Sequence, residues 1–213
     1  MNILRKLVVF DVDGILWNFG IEGGFIKLAK KFGHTKEVEK IHKEYLKRKK
    51  YGPWGLERLA SLVKDNSYDK AKRVAEKFPL VKGAKEVIKE LKKRNYIVAA
   101  FSSSPTVILE VLQKKLNINY VSGNVLEVKN GRFTGRFTKK VDRYQKANEL
   151  KKLVKKLSIR RKDVYVIGDS ITDIPMAREA GTFIVFNPKD GVEEYADHLV
   201  KSNDLQDILR YIR

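Results

Sequence analysis

Short continuous runs of apolar residues recur along the chain, separated by segments of helical periodicity. One run, Leu7–Phe10, leads directly into two acids and a glycine, as a buried parallel strand does where it meets a loop at its carboxyl end. Similar runs at 97–101, Val164–Gly168 and Thr182–Phe186 predict three more buried strands. Strands that alternate with helices at this spacing predict an α/β fold, with a mostly parallel sheet and helices on both faces.

One long segment, residues 22–78, departs from this alternation because it has helical periodicity and no strand pattern. Within it, Phe25, Leu28, Ala29 and Phe32 recur at a spacing that places them on one face of a helix. The segment is therefore predicted to be a helical insertion that follows the first strand.

Local signals predict several connections in the second half of the chain. Ser104 and Pro105 are the N-cap and first-turn signals of a helix. Asn130-Gly131 predicts the tight turn of a two-stranded hairpin within residues 124–137. A helix is predicted to follow the hairpin, over residues 142–157.

Composition restricts the class of protein. The 213 residues suffice for one domain, or for one domain with an insertion. The chain has no cysteine, which excludes disulfides, thiolate metal sites and a cysteine nucleophile. No stretch approaches the roughly 20 apolar residues that a membrane-spanning helix needs, and the N-terminal apolar run is too short for a signal peptide. We therefore expect a cytoplasmic protein with no membrane partner.

The charge balance is strongly basic. Lys and Arg number 45 against 26 Asp and Glu, which gives a formal net charge of +19. Such a charge attracts anions, and phosphorylated metabolites, nucleic acid or an anionic membrane surface would all fit it. The charge alone therefore does not identify a partner.

The strongest chemical signal is the pair of acids in Asp11-Val12-Asp13-Gly14. Side chains two residues apart on an extended strand point to the same side, so both acids are expected to face one pocket. Two carboxylates this close stay ionised only if a cation or a shared proton relieves their repulsion. The pair therefore indicates a metal ion, or separate acid and base roles. Taken alone, it would also fit two solvated loop acids or helix caps.

Three further groups of polar residues lie at predicted strand ends or helix starts. The serines at 102–104 offer hydroxyls and free amides to an anion. Asp169 and Asp173 offer the hard oxygen ligands that suit Mg²⁺. Lys146 lies near the start of the helix predicted after the hairpin. Each group has a plain structural alternative, which is helix capping for the serines and Asp173 and a solvated helix face for the lysine.

The joint order of these groups resembles the haloacid dehalogenase superfamily of aspartate-nucleophile phosphatases, over nearly the whole chain. The strand that ends in Ser102 and the hairpin at Asn130-Gly131 look like the phosphoserine phosphatase branch of that superfamily. Four motifs carry the resemblance in the order of the family: Asp11-Val12-Asp13-Gly14, Ser102, Lys146, and Gly168-Asp169 with Asp173.

The resemblance implies both a fold and an activity. The fold would be a Rossmann-like catalytic core of residues 1–16 and 80–213, with a small helical cap of residues 17–79 that sets substrate specificity. The activity would be that of a Mg²⁺-dependent phosphatase, a phosphoric monoester hydrolase. It would cleave a small anionic phosphomonoester through an aspartyl-phosphate intermediate.

The same resemblance implies a role for each matched residue. Asp11 would be the nucleophile, and Asp13 would protonate the leaving alcohol and later deprotonate water. Ser102 and Lys146 would hold the phosphoryl oxygens. Substrate contacts are expected at Gly14, Ser102, Ser103, Lys146 and Thr172. Metal ligands are expected at Asp11, at Asp13 through its backbone carbonyl, at Asp169 and at Asp173.

Three positions depart from that branch. Ile15 stands where a threonine is common, Ser103 where a glycine is usual, and Gly20 where a substrate-reading glutamate is usual. Phosphoserine carries an ammonium that needs a nearby carboxylate when it is buried. The missing glutamate therefore predicts a small anionic substrate other than phosphoserine, unless Glu22 takes over that role.

Three other functions fit parts of the same pattern. A phosphomutase or phosphotransferase would use the same Asp11 and would exclude water through closure of the cap. A basic nucleic-acid-binding protein on a retired phosphatase core would explain the net charge and the basic run at 47–50. Nucleic acid is not the favoured partner, because every catalytic position still carries a competent residue. A dehalogenase is the least favoured of the three, because its neutral carbon substrate has no use for the second acid and Mg²⁺.

Overall fold

A seven-stranded sheet lies at the centre of the computed structural model, which describes residues 5–20, 22–47, 54–189 and 191–213. The spatial order of the strands is β4-β3-β2-β1-β5-β6-β7, and every neighbouring pair is parallel except β3 with β4. The predicted Rossmann-like α/β fold is thus confirmed. The strands are β1 (Leu7–Phe10), β2 (Ile97–Pro105), β3 (Tyr120–Lys129), β4 (Arg132–Lys139), β5 (Val164–Gly168), β6 (Thr182–Phe186) and β7 (His198–Val200).

Helices cover both faces of the sheet, which explains why β1 is apolar throughout. Val8 and Phe10 point into one buried cluster, and Leu7 and Val9 point into another on the opposite face. The first cluster includes residues of α1 to α6, and the second includes residues of α7 and α8. The helices are α1 (Gly24–Lys31), α2 (Thr35–Lys47), α3 (Trp54–Leu62), α4 (Tyr68–Glu76), α5 (Ala84–Lys93), α6 (Thr106–Leu116), α7 (Arg143–Leu157) and α8 (Ile174–Ala177).

The hairpin of β3 and β4 forms at the predicted turn. Asn130 and Gly131 have φ values of 50° and 72°. A two-residue turn of this kind needs positive φ at both positions, which glycine and asparagine adopt with little strain. The hairpin prediction is confirmed.

The start of α6 differs from the prediction. β2 continues through Ser104 to Pro105, and α6 begins at Thr106. Pro105 occupies the N-cap position, and no side chain caps the helix there. The prediction of Ser104 as the N-cap is therefore wrong, which leaves its hydroxyl for a tertiary contact.

The predicted helical insertion contains α1 to α4, and its described residues form no β-strand. Backbone hydrogen bonds join the second half of this insertion to the hairpin of β3 and β4. Asp65 N donates to Phe133 O at 2.8 Å, Phe133 N to Asn66 O at 3.0 Å, and Tyr68 N to Gly131 O at 2.9 Å. The exact division into core and cap stays a prediction, and residues 48–50 of the basic run lie outside the described residues.

In the part of the chain that is described, no helix combines the length and apolar character required to cross a bilayer.

Candidate active site

The polar residues of the motifs meet at the carboxyl edge of the sheet. Asp11 and Asp13 follow β1, Ser102 lies near the end of β2, and Asp169 follows β5. These three strands are parallel neighbours with β1 between the other two, so their carboxyl ends converge. Lys146 reaches the same place from the first turn of α7.

Lys146 links two of the acids from a buried position. Its Nζ lies 2.9 Å from Asp11 Oδ1 and 2.6 Å from Asp173 Oδ1, and only 2% of the residue is exposed. Burial disfavours the charged ammonium, but the carboxylates of Asp11 and Asp173 outweigh that effect and raise the pKa of Lys146. The alternative of a solvated helix face is therefore wrong, and the two carboxylates favour the charged form of Lys146.

A cluster of three buried carboxylates, those of Asp11, Asp169 and Asp173, surrounds one point. One oxygen of each lies within 4.8 Å of the others. Burial, and then the charge of Asp173, hold the pKa of Asp11 well above its ordinary value. Burial also raises the pKa of Asp169 to about 6. Three buried carboxylates, two of which are disfavoured in their ionised form by burial, provide the hard oxygen donors of a site for a divalent cation.

The close contact between the Asp173 carboxylate and the preceding backbone explains why position 168 of the fourth motif is a glycine. Asp173 Oδ2 accepts from the amides of Asp169 at 3.2 Å and Ser170 at 3.4 Å. A Cβ on Gly168 would lie only 2.5 Å from this oxygen, so a larger residue would displace the carboxylate. Asp173 makes no side-chain cap bond to α8, and its carboxylate instead contacts Lys146 and the two loop amides.

The side chain of Asp13 lies apart from the carboxylate cluster. Its Oδ2 accepts hydrogen bonds from Ser102 Oγ at 3.0 Å and Ser104 Oγ at 2.9 Å, and its Oδ1 accepts from Gly24 N at 2.9 Å. Burial raises the pKa of Asp13, although these hydrogen bonds work in the opposite direction. Asp13 is thus able to hold a proton, and its side chain is not among the three carboxylates of the cluster. The backbone carbonyl of Asp13 stays a predicted metal ligand.

Lys189 is a second cation of the site, and the sequence reading missed it. Its Nζ lies 2.6 Å from Asp169 Oδ2, and its backbone amide donates to Asp169 O at 2.6 Å. Gly14, with φ of 95°, leaves room for this pair. A Cβ there would lie 2.4 Å from Asp169 Oδ2 and 2.8 Å from Lys189 Nζ.

Two predicted substrate contacts are not hydrogen-bonded to the acids within the described residues. Thr172 Oγ1 lies 2.7 Å from Ser170 Oγ, and the carbonyl of Ser103 accepts from Asn124. Conversely, Ser104 and Gly24 contact Asp13 and were not predicted to do so. Position on an extended strand, two residues after Ser102 and on the same side, is the signal that could have identified Ser104.

Known proteins resemble this chain along its whole length. The phosphoserine phosphatase of Methanocaldococcus jannaschii is 34% identical over 100% of both chains. The phosphoserine phosphatase of Archaeoglobus fulgidus is 31% identical to this chain. The match covers 96% of this chain and 59% of the Archaeoglobus protein. A solved structure of a phospho-aspartyl intermediate analogue of phosphoserine phosphatase has a TM-score of 0.83 and 32% identity, covering 98% of this chain and 99% of the other.

A family model gives the same result. The model of haloacid dehalogenase-like hydrolases matches residues 8–178, a range that contains all four motifs. The chain belongs to the haloacid dehalogenase-like hydrolase family, in its phosphoserine phosphatase-like branch.

Proposed function

We propose that this protein is a Mg²⁺-dependent phosphatase, which hydrolyses a small phosphomonoester through an aspartyl-phosphate on Asp11. The observation that carries the proposal is the position of Asp11, which lies at once beside the buried ammonium of Lys146 and within the carboxylate cluster. Full-length similarity to phosphatases supports the enzyme class, a phosphoric monoester hydrolase.

The two carboxylates after β1 divide the chemistry between them. An oxygen of Asp11 attacks phosphorus, the ester P–O bond breaks, and Asp13 gives a proton to the departing oxygen. Water then attacks phosphorus, Asp13 takes its proton, and the bond to Asp11 breaks to release inorganic phosphate. The raised pKa of Asp13 supports its role as the proton donor.

The phosphoryl group is held by residues that do not react. The ammonium of Lys146 and the hydroxyl of Ser102 bind the phosphoryl oxygens while the charge on these oxygens changes in the transition state. Gly14, Ser103 and Thr172 remain predicted substrate contacts.

Asp11, Asp169, Asp173 and the carbonyl of Asp13 are the groups that would hold the metal. When bound, Mg²⁺ screens the repulsion between an anionic nucleophile and an anionic phosphate. Mg²⁺ typically takes one or two carboxylates and completes its coordination with water and substrate phosphate.

Added Mg²⁺ is expected to raise the melting temperature at pH 7 and to raise it much less near pH 5. Because burial raises the pKa of Asp169 to about 6 and that of Asp11 in the same direction, protons compete with the cation as the pH falls through that range. At about 100 times the dissociation constant, the metal should add about 2.7 kcal/mol, or roughly 5–10 °C, in calorimetry at pH 7.

An NaCl solution of equal ionic strength is the control for this experiment. Hydrolysis of p-nitrophenyl phosphate should follow the same dependence, with activity lost in excess chelator and restored by Mg²⁺. Equal thermal shifts at both pH values, or full activity in chelator, would contradict the metal site.

The substrate is proposed to be a small anionic phosphomonoester other than phosphoserine. Gly20 offers no side chain to an ammonium, and Glu22 is paired with Lys27 at 2.7 Å and Lys30 at 2.5 Å. Although burial favours neutral Glu22, the two lysines outweigh it and lower the pKa of this acid. A carboxylate already held by two cations is a poor partner for a third. Residues 22–50 carry ten Lys or Arg against four Glu, which suits added negative charge.

The comparison of phosphoserine with 3-phosphoglycerate tests this proposal, because a hydroxyl replaces the ammonium in an otherwise matched molecule. We expect kcat/KM to be about tenfold or more lower for phosphoserine, since an unpaired buried ammonium costs several kcal/mol. Nucleoside monophosphates extend the comparison. A clear preference for phosphoserine, selectively weakened by Glu22→Gln, would show that Glu22 reads the ammonium and that the proposed substrate class is wrong.

A further inference from the structure

Ser104 is a buried serine whose hydroxyl is directed at Asp13. Its Oγ lies 2.9 Å from Asp13 Oδ2 and 3.2 Å from Oδ1, and 2% of the residue is exposed. Its backbone amide donates to Ser102 Oγ at 2.9 Å. The side chain does not cap α6, so its hydrogen-bonding capacity is available to the active site.

The facing helix leaves space for this hydroxyl. A Cβ on Gly24 would lie 2.8 Å from Ser104 Oγ and 3.1 Å from Asp13 Oδ1, so any side chain at position 24 would push against both. Gly24 instead places its backbone amide 2.9 Å from Asp13 Oδ1. Position 24 thus contributes a donor to Asp13 because it has no side chain.

Ser102 cannot hold Asp13 throughout the reaction. A serine hydroxyl has one proton, which Ser102 directs at Asp13 Oδ2 in this structure. In its proposed role Ser102 turns this O–H toward a phosphoryl oxygen and donates a hydrogen bond to it once substrate binds. Ser104 and the Gly24 amide are then the donors left for Asp13 among those described here.

Ser104 Oγ lies within hydrogen-bond distance of both oxygens of Asp13, and each oxygen has one further donor. At Oδ1 this donor is the Gly24 amide, which can only donate. Oδ2 faces the hydroxyls of Ser102 and Ser104, which can either donate or accept. Because a serine hydroxyl can donate or accept, Ser104 can stay hydrogen-bonded to Asp13 by turning its own O–H.

We propose that Ser104 is a positioning residue, which with the Gly24 amide keeps Asp13 oriented toward the departing oxygen while Ser102 binds the phosphoryl group. The inference rests on the proposed function, because it requires Asp13 as general acid and base. The step concerned is the breaking of the ester P–O bond, in which Asp13 passes its proton to the leaving oxygen. In the second half, Asp13 regains a proton from the attacking water.

Ser104→Ala is tested on two substrates that differ in their need for an acid. p-Nitrophenolate leaves without a proton, whereas an alkoxide needs one. We expect kcat for the alkyl phosphomonoester that the wild-type enzyme turns over fastest to fall about 10- to 100-fold. The first release of p-nitrophenol, measured as the pre-steady-state burst, should fall less than about threefold. A mispositioned base then delays phosphoenzyme hydrolysis, so the burst should become more pronounced.

Ser122→Ala is the matched control, because Ser122 is also buried but lies outside the motifs. Its hydroxyl likewise donates to a carboxylate, that of Glu149, at a distance of 3.1 Å. This control should change neither rate. If Ser104→Ala does not fold, Ser104→Cys keeps a side chain of similar shape with a weaker donor. An equal loss on both substrates, or no loss on the alkyl substrate, overturns the inference. A wild-type protein that hydrolyses neither substrate overturns the proposed function instead.

Discussion

Replacement of Asp11 by asparagine is expected to abolish turnover and to leave the fold intact. The amide has nearly the size of the acid but lacks a nucleophilic carboxylate oxygen, and loss of a covalent nucleophile lowers kcat by several orders of magnitude. Burial and the charge of Asp173 raise the pKa of Asp11, which means that the fold disfavours its ionised form when no metal is bound. Lys146 loses one of its two carboxylate partners but keeps Asp173 at 2.6 Å, so the metal-free variant should stay folded, with an unfolding transition near that of the wild type.

The measurement is kcat for p-nitrophenyl phosphate, with the unfolding curve of each variant as the check on folding. Asp163→Asn makes the same chemical change at another buried acid, which is not part of the motifs. Asp163 Oδ2 pairs with Arg160 Nε at a distance of 2.6 Å. This control should retain the wild-type kcat. Normal turnover by Asp11→Asn would mean that another group is the nucleophile.

Lys146→Met is expected to lower both stability and rate. The substitution keeps a long side chain but leaves Asp11 and Asp173 without the ammonium that joins them. Removal of one partner from a buried ion pair typically costs about 3–5 kcal/mol in free energy of unfolding. Loss of a cation that stabilises the transferring phosphoryl group should also reduce kcat by about 10²–10³.

A double variant separates these two effects. In Lys146→Met with Asp173→Asn, one carboxylate leaves together with the ammonium, so stability should recover in part while kcat stays low. Lys151→Met changes an exposed lysine of the same helix, paired with Glu179 at 3.2 Å, and should cost no more than about 1 kcal/mol. A Lys146→Met protein as stable as the wild type would show that the buried ion pairs do not stabilise the fold as inferred.

The parts of the fold that the sequence predicts best are those in which burial produces a continuous apolar run. β5 and β6 begin and end at the predicted residues, because strands covered on both faces are apolar throughout. β7 was missed, since it has only three residues, His198–Val200, and lies at the sheet edge with a polar residue at its start. A segment this short has no recognisable period.

The site shows the same division between local and tertiary information. The motif acids could be placed because parallel strand ends converge on one edge. Ser104 was missed because a serine before a proline carries the signal of a helix cap, although its position two residues after Ser102 on an extended strand also indicated the same side. Lys189 is one of 45 lysines and arginines, and what selects it is the path of the loop after β6, which brings it back to Asp169.

The measurement that tests the covalent mechanism most directly is rapid acid quenching of the enzyme during turnover of p-nitrophenyl phosphate, followed by mass spectrometry of its peptides. The phosphoryl group should be found on the peptide that contains Asp11, should be removed by hydroxylamine as an acyl phosphate is, and should be absent from Asp11→Asn. Turnover with no covalent phosphate at any time point, or phosphate on a peptide that contains Ser102 instead, would contradict Asp11 as the nucleophile.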